Sequence, residues 1–113
     1  MNLNFDISHI PQRHAKPRKA GLTMVMDKGL SIRECENLID ASGPYIDIVK
    51  LGFGSSLVTP NLDRKLAFFK EAGIPVYFGG TLLEAFIVRG QFDEYLRMLD
   101  KYKMEYAEVS DGS

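Results

Sequence analysis

The strongest constraint on this chain is an alternation. Four short apolar runs rich in branched and aromatic residues, at 22–26, 45–51, 75–78 and 106–109, are separated by longer amphipathic stretches. Such a pattern predicts βα units around a parallel sheet, an α/β fold. At 113 residues the chain has room for one core. The first run ends in Asp27-Lys28-Gly29 and is followed by Ser31 and Glu34, whose spacing is that of a capping box, so a helix is expected from Ser31. Ile32, Cys35, Leu38 and Ile39 form its buried stripe, and Gly43-Pro44 ends it. The second run is apolar apart from Asp47 and Lys50, as in a strand covered by helices. Gly52 to Ser56 reads as a loop. Thr59-Pro60 suits an N-cap and first helical position, and Leu62, Leu66 and Phe69 make the stripe of a helix ending at Gly73. After the third run, Gly79-Gly80 allows a sharp turn, and Thr81 with Glu84 has the spacing of another capping box. The helical region breaks at Gly90 and resumes with Phe92, Tyr95, Leu96 and Leu99 on one side. The run at 106–109 is the expected fourth strand.

Residues 1–19 read as an irregular basic arm, broken by Pro11 and Pro17 and carrying a charge of +3, against −4 for residues 20–113. That balance leaves the body without the basic face a nucleic-acid binder needs. No stretch of eighteen apolar residues and no apolar leader occurs, so a cytoplasmic location without membrane contact is expected. One cysteine cannot form an intramolecular disulfide, and Cys35 reads as packing. His9 and His14 have no carboxylate or thiol neighbours in the arm and read as exposed polar residues.

Ligands of parallel α/β folds bind at the carboxyl ends of the strands. The candidates there are Asp27, Lys50, Gly79, Gly80, Thr81, Glu108, Ser110 and Asp111. Lys50, between Ile48, Val49 and Leu51, must reach a carboxylate, reach a ligand anion or bear a desolvation cost that lowers its pKa. Its structural reading is an ion pair with Asp47 or Glu108. Asp27, Glu108 and Asp111 have the chemistry to hold a hard cation such as magnesium, while Asx turns would equally explain Asp27 and Asp111. Gly79, Gly80 and Thr81 at a helix start can offer free amides to an anion. These charged groups are expected to converge on one cavity.

Lys16-Pro17-Arg18, Gly21-Leu22-Thr23, Asp27-Lys28-Gly29, Tyr45-Ile46-Asp47, Val49-Lys50, Gly52, Gly79-Gly80-Thr81-Leu82, Glu84 and the run Glu108 to Gly112 occur in order. This string resembles the phosphosulfolactate synthase family from about Lys16 to the last residue. The resemblance implies a (β/α)8 TIM barrel, a fold of ~250 residues, of which residues 20–113 supply the first four βα units as a half barrel. It also implies a magnesium-dependent addition of sulfite to phosphoenolpyruvate that gives (2R)-phospho-3-sulfolactate, a step toward coenzyme M or sulfolactate. Sulfite attacks C3, the carboxylate becomes an aci-carboxylate, and an acid protonates C2. By position, Lys50 and Glu108 are then catalytic, and Asp27 and Asp111, with Glu108, face magnesium or its waters. Gly79, Gly80 and Thr81 bind substrate oxygens, and Lys16 and Arg18 close over the anion from the arm. The family's general-acid lysine falls beyond Ser113. The chain alone is therefore expected to be incomplete for catalysis unless two copies pair their open edges as a homo-oligomer. Plant relatives of the family associated with heat stress make a non-catalytic protein on the same scaffold the alternative reading, and a flavodoxin-like binding module is a third.

Overall fold

The structure, a computed structural model, describes residues 4–10, 14–52 and 54–110. Three strands, β1 (Met24–Asp27), β2 (Ile48–Leu51) and β3 (Val76–Phe78), form a parallel sheet in the order β1-β2-β3. Between and after them run α1 (Ile32–Ser42), a 3-10 turn (Gly43–Tyr45), the single turn α2 (Ser55–Val58), α3 (Leu62–Glu71), α4 (Gly80–Val88) and α5 (Phe92–Lys101). Helix α1 begins as its sequence predicts. The Ser31 hydroxyl accepts from the Glu34 amide while the Glu34 carboxylate accepts from the Ser31 amide.

Side chains alternate between the faces of a strand, and that alternation decides where every later group points. Val25 of β1, Val49 and Leu51 of β2, and Val76 and Phe78 of β3 face the helices. Val49 packs with Cys35, Ile46, Phe69 and Ile74 in one buried cluster, and Leu51 and Phe78 pack with Leu82 in a second. Cys35 is fully buried in the first cluster, which pushes its thiol up to about 11 and keeps it a neutral packing group. The intervening residues, Met24 and Met26, Ile48 and Lys50, and Tyr77, lie on the other face by the same alternation. Met26, Lys50 and Tyr77 stand side by side across the three strands. Met24 and Met26 remain 45% and 42% exposed there. The sheet is thus covered by helices on one face, whereas an open doubly wound sheet carries them on both.

Three local expectations are corrected. Helix α3 starts at Leu62 rather than after Thr59. Asn61 adopts a left-handed conformation (φ 55°) and its carbonyl accepts from the Arg64 and Lys65 amides, while Thr59 closes the extra turn α2 by bonding the Ser55 carbonyl. The Thr81–Glu84 capping box does not form: Gly79 is the N-cap of α4, no side chain caps it, and Thr81 is exposed on the helix. Residues 106–109 have no strand pairing. This segment is fastened by side chains at Glu108 and Ser110 instead of by a backbone ladder, and Tyr106, Ala107 and Val109 are exposed.

The basic arm is not uniformly solvated. Residues 4–10 and 14–17 are exposed, but Arg18 is buried. Its guanidinium donates to Asp47 Oδ1 at 2.6 Å and to the carbonyls of Pro44 and His14 at 2.7 and 2.8 Å, and Lys16 Nζ donates to the Gly43 carbonyl at 2.8 Å. The other Asp47 oxygen accepts from the Thr23 amide at 2.7 Å. A planar fork of donors suits such a three-way clamp, which joins the arm, the end of α1 and the entrances to β1 and β2. Arg18→Ala would take the charged partner from the Asp47 carboxylate, so we expect a loss of about 3–5 kcal/mol in urea unfolding. A loss below about 1 kcal/mol would contradict the clamp.

Candidate functional site

At the carboxyl end of the sheet the open face and the start of α4 meet. Lys50 projects from the open face of β2, and its ammonium donates to both oxygens of Glu108, at 2.9 Å to Oε1 and 3.0 Å to Oε2. Glu108 Oε1 also accepts from the Gly80 amide at 2.8 Å, the first amide of α4, which has no acceptor within the helix. The carboxylate therefore sits where the helix dipole and the free amide were expected to draw an anion. The side chains of Lys50 and Glu108 are 19% and 33% exposed, so the pair is open to solvent from the rim.

The two glycines make this approach possible. A Cβ on Gly79 would stand 2.8 Å from Lys50 Cε and 3.3 Å from the Leu51 carbonyl oxygen. A Cβ on Gly80 would overlap the Ser110 side chain and lie 3.0 Å from Glu108 Oε1. Ser110 in turn donates its hydroxyl to Glu84 Oε2 of α4 at 2.6 Å. Gly79-Gly80 is thus a steric requirement of the docked 108–110 segment as well as a turn.

Electrostatics follow from the contacts. The hydrogen bond to Glu108 raises the Lys50 pKa, with Tyr77 adding to it, and outweighs desolvation; the lowering expected from burial is corrected by this partner. Lys50 and the Gly80 amide hold the Glu108 carboxyl below its ordinary value. Of the two partners weighed for Lys50, Glu108 is the one found, because Asp47 belongs to Arg18 at the opposite end of the sheet.

Asp27 does not share this place. Alternation sends it to the helix-covered face, fully buried, where Oδ1 accepts from the Gly29 and Leu30 amides at 2.8 and 2.7 Å as an Asx turn and Oδ2 lies 2.6 Å from Lys65 Nζ of α3. A cation at Asp27 would have to displace Lys65. The expected convergence of Asp27 and Lys50 on one cavity is therefore corrected: the two lie on opposite faces. Lys16 and Arg18, expected over the anion, are instead engaged at the strands' amino ends, and Thr81 is exposed. Asp111 lies outside the described residues. Among the described residues, no three His, Cys, Asp or Glu side chains gather to hold a metal ion. The carboxylates of Asp27 and Glu108 are each matched to a lysine, Lys65 and Lys50 respectively.

Lys65 escaped the sequence reading, although its spacing held the signal. It falls three residues after Leu62 and four before Phe69, on the buried stripe of α3, where a charge needs a partner.

Residues 11–113 match the family model described as (2R)-phospho-3-sulfolactate synthase. The chain belongs to this family. It is similar to the phosphosulfolactate synthase of Methanocaldococcus jannaschii, with 44% identity over 95 residues, covering 82% of this chain and 38% of the relative. The phosphosulfolactate synthase of Bacillus subtilis is 36% identical over 104 residues, covering 92% of this chain and 41% of its own length. That of Methanothermobacter thermautotrophicus is 31% identical over 105 residues, covering 91% and 41%. The chain spans about two fifths of the length of these curated relatives. No helix among the described residues is long and apolar enough to cross a membrane.

Two outcomes are expected. Gly80→Ala pushes against Ser110 Cβ as well as Glu108, while Gly79→Ala mainly meets the flexible end of Lys50, so Gly80→Ala should lower the thermal midpoint more, by an overpacking cost of about 1–3 kcal/mol. The Lys50–Glu108 pair stabilises the fold fully between the ordinary values 4.5 and 10.5. Its contribution disappears as pH falls through the lowered Glu108 value or rises through the raised Lys50 value. The stability difference between the parent and Glu108→Gln should therefore be flat across that window in urea titrations and shrink on its acid side.

Proposed function

We propose that this chain carries part of the site of an enzyme that joins sulfite to phosphoenolpyruvate, forming the carbon-sulfur bond of (2R)-phospho-3-sulfolactate with magnesium as cofactor. Family membership supports the reaction, and the observation that carries the site is the cluster of Lys50, Glu108 and the Gly80 amide at the rim of the open face. In this reading the sheet is a section of a (β/α)8 wall whose open face is lumenal, which agrees with helices on one side only.

Both substrates are anions, and addition concentrates further negative charge on one carboxylate. The sulfur lone pair bonds to C3, the π electrons of the C2–C3 double bond move onto that carboxylate, and a proton arrives at C2. An ammonium kept protonated by its partner suits the charge-stabilising role. Lys50 is such a group, and the Gly80 amide is a second donor beside it. A substrate carboxylate or phosphate would meet these two donors beside Glu108, whose carboxylate keeps the Lys50 ammonium protonated and in place at the rim. Magnesium is part of the proposal with its ligands unassigned among these residues. Asp27 and Glu108 face lysines, and Asp111 was the other candidate.

The test is a steady-state assay of the full-length protein with phosphoenolpyruvate, sulfite and magnesium. Phosphosulfolactate is the expected product, chelation should stop its formation and added magnesium restore it, and Lys50→Ala should cut kcat/KM by about 10²–10³ while leaving the protein folded. Absence of product from the folded parent, or a Lys50→Ala variant as active as the parent, would refute the reading.

A further inference from the structure

The segment after α5 reaches the rim without joining the sheet. Met104, Glu108 and Ser110 are its half-buried residues, and Glu105, Tyr106, Ala107 and Val109 are exposed. Glu108 and Ser110, two residues apart, face the start of α4 together, as extended backbone places alternate side chains on one side. Glu108 takes the Gly80 amide and Lys50, while Ser110 donates to Glu84, one turn along the same helix. Gly80 lies under both, since a Cβ there would meet Ser110 and Glu108 at once.

We propose that Glu84 is a positioning residue: by accepting the Ser110 hydroxyl it latches the 108–110 segment across the first turn of α4 and holds the Glu108 carboxylate in register with Lys50 and the Gly80 amide. The physical case rests on how few restraints this segment has. A chain without a backbone ladder opens locally at small cost, so a second charge-assisted bond close to the functional carboxylate decides how much of the time that carboxylate is docked. Glu108 alone would pivot about its own χ angles. With Ser110 tied to Glu84, the backbone between the two side chains is fixed at both ends. The two carboxylates divide the work, Glu84 accepting from the Ser110 hydroxyl and Glu108 from Lys50 and the Gly80 amide. The role deepens the proposed reading of the rim site and names a residue that touches neither Lys50 nor a substrate in that reading.

The Gly80 amide provides the readout, because its protection from exchange comes from Glu108 and not from the helix. In the full-length protein, followed by amide hydrogen exchange, Glu84→Ala and Ser110→Ala should each speed exchange at Gly80 by about ten-fold or more, the effect of one lost hydrogen bond to a charged group. The amides of Val49 and Gly52 in and after β2 should keep the parent rate, which a general loss of stability would not permit. Glu84→Gln retains an oxygen that accepts from Ser110 and should restore protection at Gly80. A folded Glu84→Ala protein whose Gly80 amide exchanges at the parent rate overturns the latch. If Gly80 exchange rises as expected but the parent makes no phosphosulfolactate, the latch stands and the reading of the reaction fails, so the two can be told apart.

Discussion

The sheet of this protein has helices on one side, and the strict alternation of strand side chains sorts every ionisable group at its carboxyl rim by that asymmetry. Val25, Val49, Leu51, Val76 and Phe78 turn toward the helices, and with them goes Asp27. Met26, Lys50 and Tyr77, neighbours in the ladder, turn to the open face. A shift of one residue in β2 would turn Lys50 toward Phe69, Cys35 and Ile74 in place of Val49. The apolar clusters therefore do more than hold the fold: by fixing register, they choose which charge is available for chemistry.

Each charge so placed has a partner suited to its burial. Asp27 and Lys65 are sealed from water, and the pair is supported by the two amides of the Asx turn, which reduces the cost of holding a carboxylate inside. Arg18 and Asp47 form a similar unit at the far end, where backbone carbonyls occupy the remaining guanidinium donors. Lys50 and Glu108 differ from both in being open to solvent at the rim. Burial thus separates two ion pairs that organise the scaffold from one that is suited to chemistry.

Much of the local structure was legible. The capping box at Ser31 and Glu34, the stripe through Cys35, the three strands and the break at Gly90 all follow from patterns in which neighbouring residues carry the information. Lys50 with Glu108 was one of two pairings the sequence allowed. The misreadings share a cause. Thr81 with Glu84 had the spacing of a cap, yet Glu84 is taken by Ser110, 26 residues away, and the N-cap falls to Gly79. Thr59-Pro60 had the look of a helix start, yet Asn61 in a left-handed turn delays it. Lys16 and Arg18 looked like a mobile anion clamp because nothing local reveals that Gly43, Pro44 and Asp47 offer acceptors beside them.

Sequence by itself determined that this chain makes βα units, where its first helix starts, which residues line the strand ends, and the family to which those motifs point, since periodicity, caps and motif order are short-range properties. Tertiary structure alone decided that Asp27 meets Lys65 behind the sheet, that Arg18 works at the opposite end, and that Glu108 occupies the helix start beside Lys50. Those outcomes depend on contacts between residues tens of positions apart, which no local pattern encodes.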